Sequence, residues 1–279
     1  QRATDPALGA LLDELQPYAE SLPYDSDEAS LIRVARRDYE QAIKVPADFV
    51  ARFSEHTSAS LQAWTQARPE NDFAKVQPYL EKTLDLSREM ANFFPGYEHI
   101  ADPLIDFSDY GMKTSLLRAI FAELREALVP ILQAITAQPP ADDTCLHRHF
   151  PEEQQIAFGL EVITRWGYDL ERGRQDKSPH PFTTDFSLGD VRITTRIRED
   201  ALAEGFFSTL HESGHAMYAQ GIRPDFEGTP LADGASSGVH ESQSRLWENI
   251  VGRSHPFWVH FYPRLQQVFP DSLADVSLE

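Results

Sequence analysis

A mainly α-helical fold is what this sequence predicts, and three observations predict it. From Ala7 to about Ala137, apolar residues recur at helical spacing with Pro and Gly as punctuation and almost no β-branched alternation. Asp190 to Arg198 is the one stretch that alternates convincingly as a strand. His211-Glu212-Ser213-Gly214-His215 lies inside an apolar stripe of helical period formed by Phe206, Phe207, Leu210, Ala216 and Met217. A chain of 279 residues, 41% hydrophobic and 25% charged, can bury one sizeable core or two lobes with a cleft between them.

In chain order, Asp25 with Glu28 three residues on reads as a capping box that opens a helix from Ala29 to Ile43. Leu31, Val34, Ala35, Tyr39 and Ile43 mark one face of it, and Val45-Pro46 closes it. A helix over Ala47 to Ala67 and another over Phe73 to Phe94 follow, ending at the turn Pro95-Gly96. Their aromatic residues Phe49, Phe53, Trp64 and Phe73 fall on the apolar stripe and are expected in the core. Leu116 to Ala137 carries Leu117, Ile120, Phe121, Leu124, Leu128, Ile131, Leu132 and Ile135, the pattern of a helix with a buried face, bent at Pro130. A further helix spans Glu152 to Trp166. Gly167, Gly173, Pro179, Pro181 and Gly189 then make an irregular connection. The change of character divides the chain into an N-terminal helical part, 1–166, and a metal-binding part, 167–279, of one fold unit. In the strand, Val191, Ile193, Thr195 and Ile197 alternate with Arg192, Thr194, Arg196 and Arg198, as an edge strand with protective charges or an edge for an extended peptide would.

The H-E-x-x-H segment carries the chemistry. Residues four apart on a helix share a face, so His211 and His215 can offer imidazole nitrogens to one zinc ion. Glu212 flanks that ion and can take a proton from water during attack and pass it to a leaving amine. A catalytic zinc needs a third protein ligand, and the acidic candidates downstream are Asp225, Glu227, Asp233, Glu241 and Glu248. Gly228, Pro230, Gly234 and Gly238 make the intervening segment a loop. Glu241 opens a new helix to Gly252, anchored by Leu246, Trp247 and Ile250, and a helix-borne carboxylate is held more firmly than one on a loop. Glu241 is therefore the chosen ligand, with Arg245 placed to pair with its spare oxygen or with Glu248.

Composition narrows the partners. A formal net charge of −19 disfavours nucleic acid, whose binding needs clustered Lys and Arg. Cys145 is the single cysteine, which excludes an intrachain disulfide and suits a reducing compartment. Its surroundings, Cys145-Leu146-His147-Arg148-His149, read as loop more than as a second metal site. No apolar run reaches transmembrane length and no signal pattern opens the chain, so a cytoplasmic address without membrane contact is expected.

Four motifs in order make the sequence resemble the carboxypeptidase Taq family of zinc carboxypeptidases: His180-Pro181-Phe182, Asp190-Val191-Arg192-Ile193-Thr194, His211 to His215, and His240-Glu241-Ser242-Gln243-Ser244-Arg245. The likeness extends through the N-terminal helices, including Lys44-Val45-Pro46. It implies a helical, cleft-shaped, zincin-like fold with a small antiparallel sheet at the active site, usually homodimeric. It also implies metal-dependent removal of C-terminal residues from peptides, with zinc as the metal and cobalt as an alternative. Carried over, His211, His215 and Glu241 match the zinc ligands and Glu212 the general base. His180, Asp190, Arg192, Thr194, His240 and Arg245 belong to motifs that shape the substrate cleft or support the ligands. Members of the family carry further motifs beyond the zinc glutamate, including an arginine for the substrate carboxylate. The 279 residues are accordingly expected to bind zinc yet to be incomplete for C-terminal trimming. A zinc endopeptidase and a non-catalytic peptide-binding remnant are the competing readings.

Overall fold

The computed structural model describes residues 2–278 and is mainly helical, with one small sheet. The chain divides into two compact units, Gln1–Arg125 and Glu126–Glu279. None of the helices among the described residues is long and apolar enough to cross a membrane.

In the first unit, α1 (Pro6–Ser21) packs on α2 (Asp27–Lys44), and α3 (Ala47–Glu70) on α4 (Phe73–Asn92). The cap of α2 is Ser26, whose hydroxyl accepts from Ala29 N–H, and not Asp25 as the capping-box pattern suggested. Phe49 is buried against the edge of Phe93. Phe73, by contrast, is 65% exposed, and Trp64 is partly open with the Arg68 guanidinium over its ring. The expectation of core packing thus fails for part of the aromatic set.

Asp102 ties α5 (Asp102–Ser108) to the start of α6 (Thr114–Thr136), accepting from the backbone N–H groups of His99 and Thr114. Hydrogen bonds from Thr114, hydroxyl and backbone, pull its carboxyl from 3.8 down to about 2. A depressed carboxyl stabilises fully above its unfolded value and loses that contribution as pH falls through the folded one. The urea midpoint of the wild type should therefore exceed that of Asp102→Asn at neutral pH, with the gap closing between 3.8 and about 2. A gap independent of pH would contradict this.

α6 runs unbroken through Pro130, as its periodicity predicts, but it has no buried residue: Leu124 is 53% and Ile131 55% exposed. The expected buried face is open among the described residues. Periodicity defines an apolar stripe without defining what covers it.

The second unit holds α7 (Glu152–Trp166), β1 (Gln175–Lys177), β2 (Thr183–Ser187), β3 (Asp190–Thr195), α8 (Leu202–Gln220), α9 (Ser237–Arg245), α10 (His255–Val268) and the short α11 (Pro270–Leu273). The segment around Cys145 is a single 3-10 turn, Thr144–His147. Phe150, Phe158, Val162, Ile163, Val191, Ile193, Phe206, Leu210, Phe257 and Phe261 form one core, into which α8 is sunk between α7, β3 and α9. The sheet order is β1-β3-β2, with β1 parallel and β2 antiparallel to β3. Two expectations change here. The sheet is mixed and not wholly antiparallel, and β3 is its central strand, flanked by β2 on one side and by β1 over Ile193 to Thr195 on the other, so it is not the edge strand expected. Of the four residues whose alternation suggested an edge, Arg192 and Thr194 are satisfied by Asp190 and by the chain just before β2, while Arg196 and Arg198 lie beyond the end of β3.

Candidate metal centre

The centre is built on one face of α8. His211 and His215 project side by side, their rings 5.0 Å apart, and the Oε2 atom of Glu241 on α9 lies 3.5 Å from His211 Nε2 and 3.2 Å from His215 Nε2. Two donors bound tetrahedrally to one zinc at ordinary bond lengths stand about 3.4 Å apart, so these separations fit a zinc ion. Among the described residues this is the only group of three or more His, Cys, Asp or Glu side chains that could hold a metal. Of the other acidic candidates, Glu227 accepts from Leu188 N–H, Asp233 from Gly234 N–H, and Asp225 is solvent-exposed. Glu248 stands behind His211.

Each imidazole is backed on the side away from Glu241. His211 Nδ1–H donates to Glu248 Oε2 at 2.9 Å, and His215 Nδ1 lies 2.6 Å from His240 Nδ1. A lone pair on His215 Nε2 requires the proton on its Nδ1, so His240 Nδ1 accepts. The two supports differ: one histidine leans on a carboxylate, the other on an imidazole edge-on to the Tyr218 ring. Burial, with His240 and His211 nearby, pushes His215 below its ordinary value and keeps it neutral for binding.

The carboxylates are held by cations. Arg245 Nε donates to Glu241 Oε1 at 2.8 Å while its Nη1 reaches Glu248 Oε2 at 3.4 Å, so it spans both pairings considered for it. Arg253 donates to Glu248 Oε1 at 2.9 Å. Burial raises both Glu241 and Glu248, but hydrogen bonds from Arg245 and Ser244 to the first, and from Arg253 and His211 to the second, outweigh it and leave both below the ordinary range. Replacing Glu248 by Gln should weaken zinc binding about 10–100-fold without unfolding the chain, because His211 loses its anionic support. Zinc titration against a chromophoric chelator measures this, and an unchanged affinity would remove Glu248 from that role.

Glu212, next to His211 in α8, is buried. Its Oε2 lies 2.7 Å from the Thr183 hydroxyl, which is also 3.0 Å from the Glu212 main-chain oxygen. Burial raises its carboxyl above the ordinary range against the lowering effects of Thr183, His211 and His180. A carboxyl poised in this way suits proton transfer.

The remaining motif residues sit around this group in different ways. His180 is exposed, with Nδ1 2.6 Å from the Pro181 carbonyl oxygen, near enough to Glu212 to favour its charged form. Thr194 is buried, and its hydroxyl accepts from Phe182 N–H, fastening the His180-Pro181-Phe182 stretch to β3. Arg192 is held by Asp190 through two bonds of 2.7 Å, and Arg196 is paired with Glu204 at 3.3 Å. Sequence reasoning missed Thr183 and considered Glu248 only as a ligand candidate or a partner for Arg245. The signal for Glu248 was its place one turn after Arg245 and two after Glu241. For Thr183 there was only its position directly after Phe182.

A family model described as carboxypeptidase Taq (M32) metallopeptidase matches residues 1–279. Thermostable carboxypeptidase 1 of Thermus thermophilus is 43% identical over 289 residues, covering 100% of this chain and 56% of that protein. Carboxypeptidase 1 of Bacillus subtilis is 35% identical over 277 residues, covering 99% and 55%. Among solved structures, the M32 carboxypeptidase of Deinococcus radiodurans R1 superposes with a TM-score of 0.86 at 49% identity, over 99% of this chain and 55% of that one. The chain spans about half the length of the curated relatives it matches.

Proposed function

The chain belongs to the carboxypeptidase Taq (M32) metallopeptidase family, and from that premise we propose that its second unit is the zinc-binding part of a metallocarboxypeptidase that removes C-terminal residues from peptides. The observation that carries the proposal is the convergence of His211, His215 and Glu241, with Glu212 buried next to His211 in α8. His211, His215 and Glu241 would hold the metal, zinc by preference for this mixed nitrogen and oxygen set and cobalt as a substitute. A zinc ion held there supplies Lewis acidity, which polarises a scissile carbonyl and acidifies water.

The chain's own residues do the rest. Glu248 and His240 keep the proton of each ligand histidine on Nδ1, so that Nε2 is the free donor. Glu212 accepts a proton from the attacking water and delivers it to the leaving amine, two steps that one buried carboxyl can serve in turn. Thr183 holds that carboxyl by Oε2. His180, Asp190, Arg192 and Thr194 shape the approach to it from the sheet and the turn before it.

The family likeness also extends the reading to a homodimer, which sedimentation would test, and the single cysteine accords with a reducing, cytoplasmic setting. The decisive experiment is a digest of a defined peptide with and without a chelator, read by mass spectrometry. A ladder of products shortened one residue at a time from the C-terminus and abolished by the chelator is expected, feeble from the 279 residues alone and strong from a chain of the relatives' full length. Internal cuts would replace the proposal with an endopeptidase, and zinc binding without any turnover would reduce it to peptide binding.

A further inference from the structure

We infer that Gly214 is a positioning residue for the metal: by carrying no side chain it sets the α8 to α9 separation that allows Glu241 to reach both histidines. The inference rests on reading His211, His215 and Glu241 as the ligands.

Gly214 lies in α8 between the general-base candidate Glu212 and the ligand His215, and it is buried where α9 approaches. A Cβ at this position would stand 2.6 Å from Ser244 Cα, 2.7 Å from the Gln243 carbonyl oxygen and 3.0 Å from the Gln243 carbonyl carbon. All three are backbone atoms of α9, so no change of rotamer relieves the overlap. Ordinary contact begins at 3.4 Å, and α9 would have to retreat by the better part of an ångström. Ser244, the nearest residue on α9, is itself completely buried.

That retreat bears directly on the third donor. Glu241 is one turn before Ser244, and its Oε2 accepts from the Ser244 hydroxyl at 3.0 Å while facing the two Nε2 atoms at 3.2 and 3.5 Å. Metal sites tolerate departures of about 0.2 Å from ideal ligand distances. The Glu241 side chain has little freedom to follow the metal as α9 withdraws, because Ser244 and Arg245, which fasten its two oxygens, ride on the same helix. Gly205 differs in kind, its nearest backbone neighbour to an added Cβ being the Arg196 carbonyl oxygen at 3.3 Å. At Gly205, also on α8, the closest atom to an added Cβ is Ile197 Cδ1 at 2.5 Å, the end of a flexible side chain that can swing aside.

The test is a thermodynamic cycle in zinc affinity, measured by chelator competition on the wild-type chain, Gly214→Ala, Glu241→Ala and the double variant, with far-ultraviolet circular dichroism reporting the fold. Gly214→Ala should bind zinc about 10–100-fold more weakly, the range for lost support of a ligand, with its helical spectrum intact. In the Glu241→Ala background the same substitution should make no further difference, because there is no third donor left to displace. Gly205→Ala should bind zinc like the wild type. Wild-type affinity in Gly214→Ala would overturn the inference. So would an equal penalty with Glu241 absent, or failure to fold in both backgrounds, since either makes Gly214 a residue of the fold and not of the metal site. A wild-type chain that binds no zinc is a separate result: it refutes the ligand assignment itself, and the inference with it.

Discussion

Glu212→Gln should retain zinc and lower turnover about 10²–10⁴-fold, the range typical of removing a positioned acid–base group. The two side chains have the same shape, but an amide oxygen cannot accept and release a proton in this pH range. The fold has no reason to suffer. Thr183 can accept from the new amide N–H while donating to the main-chain oxygen of residue 212, which it already reaches at 3.0 Å. The loss should appear in kcat, with KM and zinc content near those of the wild type, since nothing that holds the metal or the peptide has been removed. Zinc per chain by elemental analysis, alongside kcat for release of a C-terminal residue, checks both halves. Near-normal turnover at full zinc would take the proton-transfer role away from Glu212.

Glu241→Ala should cost more than about 100-fold in zinc affinity, beyond what loss of an outer support costs, because the ion is left with two histidines and water. The nearest acidic candidates among the described residues are engaged elsewhere. Glu248 is bound to His211, Arg245 and Arg253, and Glu227 is committed to Leu188 N–H across the turn between β2 and β3. His211→Ala and His215→Ala should do comparable damage. Glu227→Ala and Asp233→Ala, made in the loop that precedes α9, serve as controls and should leave zinc binding unchanged. Full zinc in Glu241→Ala with loss in either control would move the third ligand into that loop.

Much of this was legible in the chain, and the reasons are local. A helical period of apolar residues identifies α2, α3, α4, α6, α7 and α8 without reference to the rest of the molecule, because each period follows from backbone geometry. The spacing of His211 and His215 is likewise a property of a single helix. Glu241 could be chosen because it is the first of the acidic candidates to sit on an expected α-helix, and α9 does begin shortly before it, at Ser237. Most of the expectations that failed concerned faces. Ile250, expected to anchor its helix, is 69% exposed, because after Arg245 the chain passes into a π-helical segment, Leu246–Val251, whose wider turn changes which side chains face inward. Trp247 does pack, against Trp166 at 4.7 Å between ring centroids.

The sequence by itself thus determined most of the helices, one strand and a candidate set of donor atoms, because helical and strand periods and the geometry of one helical turn are short-range properties. The tertiary structure alone decided which strand is central, which apolar stripes are covered, and which partner lies behind each imidazole. Glu248 and His240 stand at His211 and His215, and Thr183 at Glu212, through contacts between residues 25 to 37 positions apart. Only packing of α9 against Gly214, and of β2 beside α8, brings such residues within hydrogen-bonding distance, and no periodicity along the chain encodes that approach.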